Sequence, residues 1–236
     1  MISIICPFYN EKENLEALCK RLKGTLAPLT QPWEIIFVDD GSTDGGGDLL
    51  KRFVSESDPI HILRLERNCG QSAALHAGFR KSRGEILVML DADLQNPPEE
   101  IPRLIAMLDD GCDIVQGIRM KREDTRFKRV VSAIANRFRR AALKDCIVDI
   151  GCSLRVFRRD VLESFYPYTG AHRFFPAVAQ AEGFRVKQVG VRHDKRFRGV
   201  SKYTLGNRNL SLLWDVTAFR WMINNRIRTG KQRKTR

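Results

Sequence analysis

Four short apolar runs alternate with amphipathic stretches through the first half of the chain: Ile2 to Cys6, Ile35 to Val38, Ile60 to Leu65 and Ile86 to Leu90. Each run reads as a strand, and the segments between them carry helical periodicity. This βαβ rhythm predicts an α/β fold with a mostly parallel sheet and helices on both faces. At 236 residues the chain accommodates one large domain with appendages, and not two full-sized ones. In open sheets of this kind ligands bind beyond the carboxyl ends of the strands, so the residues just after each run are the first candidates for a site.

Those residues are polar in three successive cases. Pro7-Phe8-Tyr9-Asn10-Glu11 follows the first run, Asp39-Asp40-Gly41-Ser42-Thr43-Asp44 the second, and Asp91-Ala92-Asp93-Leu94-Gln95 the fourth. One such loop is ordinary turn chemistry. Three carboxylate-bearing strand ends at one sheet edge point to a site. The Asp91-x-Asp93 spacing suits a hard divalent cation, Mg2+ or Mn2+, whose shell is completed by substrate phosphates and whose charge neutralises a diphosphate leaving group.

The second half is different in charge. Residues 1–111 hold 12 Lys/Arg and 18 Asp/Glu, a net of −6; the remainder holds 29 and 10, a net of +19, and the two sum to the +13 of the whole chain. So basic a half requires phosphate-bearing partners, whether nucleic acid, anionic lipid headgroups or a phosphorylated substrate. From residue 112 the pattern loosens: a basic helical stretch from Thr125 to Lys144, an expected strand at Asp149-Ile150-Gly151-Cys152, and a last strand near Val186 to Val191. The segment from Leu205 to Arg228 is amphipathic, with Leu210, Leu213, Trp214, Phe219, Trp221, Met222 and Ile223 interleaved with arginines. No apolar run approaches 18 residues, so no bilayer span is expected. The N-terminal run lacks a basic leader and reads as a first strand, not a signal peptide. The six cysteines form no C-x-x-C pair and are expected to be reduced and mostly buried.

Taken together, the blocks after runs one, two and four, with Asn68-Cys69-Gly70 and the Asn96-Pro97-Pro98-Glu99-Glu100-Ile101-Pro102 continuation, resemble family 2 glycosyltransferases of the GT-A fold. Within that family the resemblance is to polyprenyl-phosphate sugar transferases, and it covers residues 1 to about 205. It implies an inverting, metal-dependent transfer of sugar from a UDP- or GDP-linked donor to a dolichyl or undecaprenyl phosphate. Position by position, it implies that Pro7, Tyr9, Glu11, Asp40 and Asp91 bind the donor, and that Asp91, Asp93 and Gln95 serve the metal. Gly117-Ile118-Arg119 resembles the family's Gly-Ser-Arg element. Asp149-Ile150-Gly151-Cys152 with Arg155 and Phe157 resembles its acceptor-side block, and His193-x-x-Arg196-x-x-Gly199-x-Ser201-Lys202 its phosphate-closing loop.

Asp93, Asp149 and Arg119 are the catalytic candidates, and Arg119, Lys128, Arg129, Ser132, Arg196, Ser201 and Lys202 the acceptor-phosphate candidates. Such transfer gathers several negative charges, which these cations would offset. An acceptor phosphate is already anionic, so it needs a general base less than a hydroxyl does, and Asp149 is expected to position groups.

The expected organisation is a catalytic domain over 1–204, with a donor and metal half at 1–111 and an acceptor half at 112–204, then a basic amphipathic tail at 205–236. Full-length relatives of this kind carry transmembrane helices after the catalytic domain. Here the tail is expected to lie on an anionic membrane surface at the cytoplasmic face, leaving room for a separate membrane protein to supply an anchor. Processive synthesis is not expected, because Thr217 stands where Gln-x-x-Arg-Trp would require Gln before Arg220-Trp221. Transfer to a glycan hydroxyl would not need so basic a half. A non-catalytic RNA- or membrane-binding module would not need three aligned carboxylate motifs; nucleic acid is not an expected partner.

Overall fold

The computed structural model describes residues 1–55, 57–108, 111–120, 139, 140, 143, 145–195 and 208–225, excepting the side chains of 208–214 and 223. The expected sheet is present. Strands β1 (Ile2–Phe8), β2 (Trp33–Asp39), β3 (Ile60–Arg64) and β4 (Ile86–Met89) alternate with helices α1 (Lys12–Leu26), α2 (Gly46–Lys51) and α3 (Gln71–Lys81). Helix α4 (Ile101–Leu108), β5 (Ile114–Arg119), β6 (Arg155–Arg158), α5 (Ala171–Ala181), β7 (Val186–Val191) and α6 (Arg208–Asn225) follow.

The strand order is β3-β2-β1-β4-β6-β5-β7, parallel throughout except for β6, which runs antiparallel to both β4 and β5. All seven residues of β1 are buried, as a central strand covered on both faces requires. Its side chains alternate between two cores. Ile2, Ile4, Cys6 and Phe8 pack with Leu15, Leu18 and Leu22 of α1 and Leu104 of α4, whereas Ile5 packs with Ala74, Leu75 and Phe79 of α3. Helix α3 can lie close to β1 because Gly78 faces the strand; a Cβ there would come within 2.5 Å of Ile5 Cγ2.

Two strands are not apparent in the sequence, and one expected strand is a turn. β5 reads Ile-Val-Gln-Gly-Ile-Arg, and β6 is the four-residue Arg-Val-Phe-Arg; a buried polar side chain in each, Gln116 and Arg155, breaks the apolar signal. Arg155 Nε donates to Gln116 Oε1 at 2.5 Å across the β5–β6 pair, so each supplies what the other's burial demands. Asp149-Ile150-Gly151-Cys152 is not the expected strand. The Gly151 amide donates to Asp149 Oδ1 at 3.1 Å, a side-chain bond that closes a turn where a strand would offer its backbone to a ladder.

Helix α6 lies within the expected amphipathic tail. Its Val216 and Phe219 are buried against Phe174, Ala177 and Val178 of α5, and the Phe219 and Phe174 rings stack with centroids 4.6 Å apart. Trp221, 68% exposed, faces the other way. Among the described residues no helix is long and apolar enough to cross a membrane. All six cysteines are free thiols, and four of them are buried.

Candidate active site

The second strand end shows how two neighbouring carboxylates divide their work. Successive side chains on a strand point to opposite faces, so Asp39 and Asp40 diverge. Asp39, 1% exposed, accepts the Ser42 amide at 2.7 Å and so shapes its own loop. Asp40 turns towards α3, where its two oxygens accept the backbone amides of Cys69 at 2.8 Å and Gly70 at 2.9 Å. Burial pushes the Asp40 carboxyl above the ordinary aspartate range, and those two amides oppose the shift. Gly41 is required beside them: at φ 72° its Cα lies so close to the Arg67–Asn68 backbone that a Cβ would approach Arg67 C to 2.5 Å.

Side chains lace this loop to the first strand end. The Asn10 amide donates to Ser42 Oγ at 2.9 Å, the Thr43 amide to Asn10 Oδ1 at 2.8 Å, and the Lys12 amide to Asp44 Oδ2 at 2.9 Å. The two loops therefore hold one another in place. Glu11 Oε2 accepts Asn14 Nδ2 at 2.6 Å.

At the fourth strand end Leu94 has φ 60°, a left-handed backbone uncommon for a bulky residue. Conformations of this kind cost about 1–3 kcal/mol and persist where packing enforces them. Here the Leu94 side chain, 2% exposed, is anchored in the core with Ala92 and Ile101. That anchoring fixes the course of the Asp91-Ala92-Asp93 backbone. Asp93 Oδ1 accepts the Gln95 amide at 3.1 Å, and Asp91 Oδ1 accepts Gln71 Nε2 at 2.6 Å.

These strand ends surround a cavity of about 400 Å³. The expected donor residues Pro7, Tyr9, Glu11, Asp40 and Asp91 all line it, as does Asp93. Gln95 is outside the lining; its carbonyl accepts the Asp194 amide at 2.8 Å, which ties the segment after β7 to this loop. Gln71 and Ala74 of α3 also form the wall. Sequence reasoning missed them because they sit inside a helix whose only visible signal is packing.

The lining brings four carboxylates together, from Glu11, Asp40, Asp91 and Asp93. They are hard oxygen donors with no thiolate or imidazole among them, which is the chemistry that Mg2+ or Mn2+ prefers. A diphosphate would be repelled from so acidic a cavity unless a cation entered with it. Among the described residues no three of these groups converge closely enough to hold a cation unaided, so the chemistry of the lining suits a divalent cation whose shell substrate oxygens complete.

Beside the cavity lies a second constellation. Arg119, the last residue of β5, meets Asp149 in a paired contact: Nε donates to Oδ2 and a terminal nitrogen to Oδ1, both at 2.8 Å. The Arg119 amide adds 3.1 Å to Oδ2, and Gly151 completes the set on Oδ1. Behind this turn Gln116 Nε2 donates to the carbonyls of Asp149 and Cys152, while Arg155 donates to those of Ile150 and His172. Arg155 is 1% exposed, and burial pulls its guanidinium down to about 10. Asn96 Nδ2 donates to Ser153 Oγ at 3.0 Å, joining this constellation to the Asp91–Gln95 loop. Lys128, Arg129, Ser132, Arg196, Ser201 and Lys202 lie outside the described residues.

A twisted sheet of this order, with an acidic cavity at the switch between β1 and β4, defines the GT-A class of nucleotide-sugar-binding folds. The chain belongs to glycosyl transferase family 2, whose model matches residues 3–165. Among curated relatives, an undecaprenyl-phosphate 4-deoxy-4-formamido-L-arabinose transferase of Yersinia enterocolitica is 39% identical over 217 residues, which are 91% of this chain and 66% of that one. The Salmonella choleraesuis enzyme of the same name is 38% identical with the same coverage. The chain thus spans just under two thirds of the length of the curated relatives it matches. Among solved structures, glucosyl-3-phosphoglycerate synthase from Mycobacterium tuberculosis with Mg2+ and uridine diphosphate superposes with a TM-score of 0.71 at 19% identity, covering 93% of this chain and 79% of that one. Its complex with Mn2+, UDP-glucose and phosphoglyceric acid gives 0.69 at 20%, covering 94% and 80%. At such identities the likeness is one of fold.

Proposed function

We propose that the chain transfers a sugar, with inversion, from a UDP- or GDP-linked donor to a polyprenyl phosphate at the cytoplasmic surface of a membrane. The observation that carries this reading is the adjacency, at one sheet edge, of a carboxylate-lined cavity and an arginine oriented by a saturated aspartate. The names of the curated relatives support the lipid-phosphate acceptor.

The residues divide the task as follows. Pro7, Tyr9, Glu11 and Asp40 hold the nucleoside end of the donor in the cavity. Asp91 and Asp93, with Gln95 beside them, would hold a divalent cation, which would supply charge neutralisation for the departing diphosphate. The acceptor's phosphate oxygen forms the new bond to the anomeric carbon as the bond to the diphosphate breaks, and the electron pair leaves with the nucleoside diphosphate. Arg119 attracts the acceptor phosphate, helped by Lys128, Arg129, Ser132, Arg196, Ser201 and Lys202. Asp149 accepts four hydrogen bonds, which occupy its acceptor sites, and so acts as a positioning residue for Arg119. No proton need be removed from an ionised phosphate.

The test is transfer by the purified protein of radiolabelled sugar from a panel of UDP- and GDP-sugars to undecaprenyl or dolichyl phosphate with Mn2+. Label should enter the organic phase and fail to do so with EDTA. Label reaching only water-soluble glycan, or no label with any donor, would overturn the reading.

The tail enters this reading with its two faces in different roles, one packed on α5 and one bearing Trp221 beside Arg220 for an anionic membrane surface. Phe219→Ala should therefore cost about 3 kcal/mol of stability, as truncation of a buried aromatic does, and lower the unfolding midpoint. Trp221→Ala should leave that midpoint unchanged and reduce sedimentation with anionic, but not neutral, vesicles. Equal vesicle binding by Trp221→Ala and wild type would remove the tail from the membrane.

A further inference from the structure

We infer that Gln71 is a positioning residue of the donor site: its side-chain amide fixes the Asp91 carboxylate in the orientation that a cation and a nucleoside diphosphate require. The inference rests on the donor-site reading above and extends it to a residue that neither the strand-end motifs nor the acidic pattern includes.

The geometry is specific. Gln71 is the first residue of α3, a helix of 11 residues, and its Nε2 lies 2.6 Å from Asp91 Oδ1, across 20 residues of sequence. Both residues line the cavity. The residues around Gln71 are themselves anchored to different parts of the molecule. The Gly70 amide donates to Asp40 Oδ2, and Ser72 Oγ lies 2.8 Å from His172 Nδ1 while accepting the Gly170 amide at 3.1 Å. The segment from Gly70 to Ser72 thus joins the end of β2, the end of β4 and the start of α5. With Asp40 held before it and His172 after it, Gln71 has a fixed backbone from which to reach Asp91.

The chemistry of the donor matters as much as its place. A lysine or arginine at this point would pair with Asp91 and cancel the charge that a cation needs. An amide donates one hydrogen bond to a carboxylate oxygen and leaves its full negative charge. Outer partners of this kind orient the carboxylates of metal sites, and their removal commonly weakens metal binding about 10- to 100-fold. Asparagine is one methylene shorter and, from the same backbone position, would not span to Asp91.

The experiment measures binding, not turnover. Mn2+ affinity in the presence of UDP is read by electron paramagnetic resonance for wild type, Gln71→Ala, Gln71→Asn, Asp91→Asn and the Gln71→Ala/Asp91→Asn double variant, with circular dichroism to establish folding. Gln71→Ala and Gln71→Asn should each weaken Mn2+ binding about 10- to 100-fold with the unfolding midpoint retained, and the double variant should match Asp91→Asn alone, since Gln71 acts through Asp91. Wild-type affinity in Gln71→Ala overturns the inference, as does a loss in the double variant equal to the product of the two single losses. If Asp91→Asn binds Mn2+ and UDP as wild type does, or wild type binds neither, it is the donor-site reading that fails, and the inference with it.

Discussion

Asp93→Ala is expected to leave a folded protein whose metal-dependent transfer falls by at least about 50-fold, because a site built on two carboxylates loses half of its charged donors. The effect should concentrate on catalysis. Asp93 lies at the cavity wall and accepts the Gln95 amide, in a loop held independently by the buried Leu94 and by the Asn96–Ser153 contact. The unfolding midpoint should therefore move by only a few degrees. Transfer in excess of about 2% of wild type, at saturating Mn2+, would show that the carboxylate does not hold the cation.

The second large effect is expected at Asp149, and it separates two roles for that residue. Asp149→Ala strips Arg119 of its partner in a pair whose side chains are 19% and 7% exposed, and opens the turn that Gly151 closes. Breaking a buried pair costs about 3–5 kcal/mol; with Arg119 partly in water, about 2–3 kcal/mol is expected in denaturant unfolding. Asp149→Asn keeps the shape but turns one acceptor oxygen into an amide that faces two N–H donors, so it should recover only part of that stability. If Asp149 only orients Arg119, Asp149→Asn should raise the KM for the lipid phosphate while leaving the pH dependence of kcat unchanged. Loss of the acidic limb of the kcat profile would instead assign Asp149 the removal of a proton.

The first half of the chain was legible in the sequence to a degree that the second half was not. β1, β2 and β4 are near-continuous apolar runs because both their faces are covered, while the edge strand β3 is mostly half-buried and carries His61 and Arg64 among Ile60, Ile62 and Leu63. Pro7, Tyr9, Glu11, Asp40, Asp91 and Asp93 could thus be placed at one edge from the rhythm and the resemblance together, and all line the cavity. In the second half polar residues are buried within the strands themselves. Gln116 and Arg155 satisfy one another across the β5–β6 pair, so neither strand shows the apolar signature, and Asp149 looks like a strand residue until its side chain is seen to close a turn.

The sequence by itself determined the mostly parallel sheet, the edge at which the cavity lies and the kind of oxygen-bearing side chains placed there, because these follow from local periodicity and from residue types next to strand ends. Only the tertiary structure decided which atoms meet. Asp39 and Asp40 are adjacent in sequence yet serve different loops, since alternate side chains of a strand leave by opposite faces. Gln71 reaches Asp91 across 20 residues, and Arg119 reaches Asp149 across 30. The same holds for α6, where Phe219 is buried and Trp221 exposed although both are apolar aromatics two positions apart. The apolar residues of this helix show almost no helical periodicity, so which of them are covered is decided by what stands opposite, and here it is Phe174 of α5.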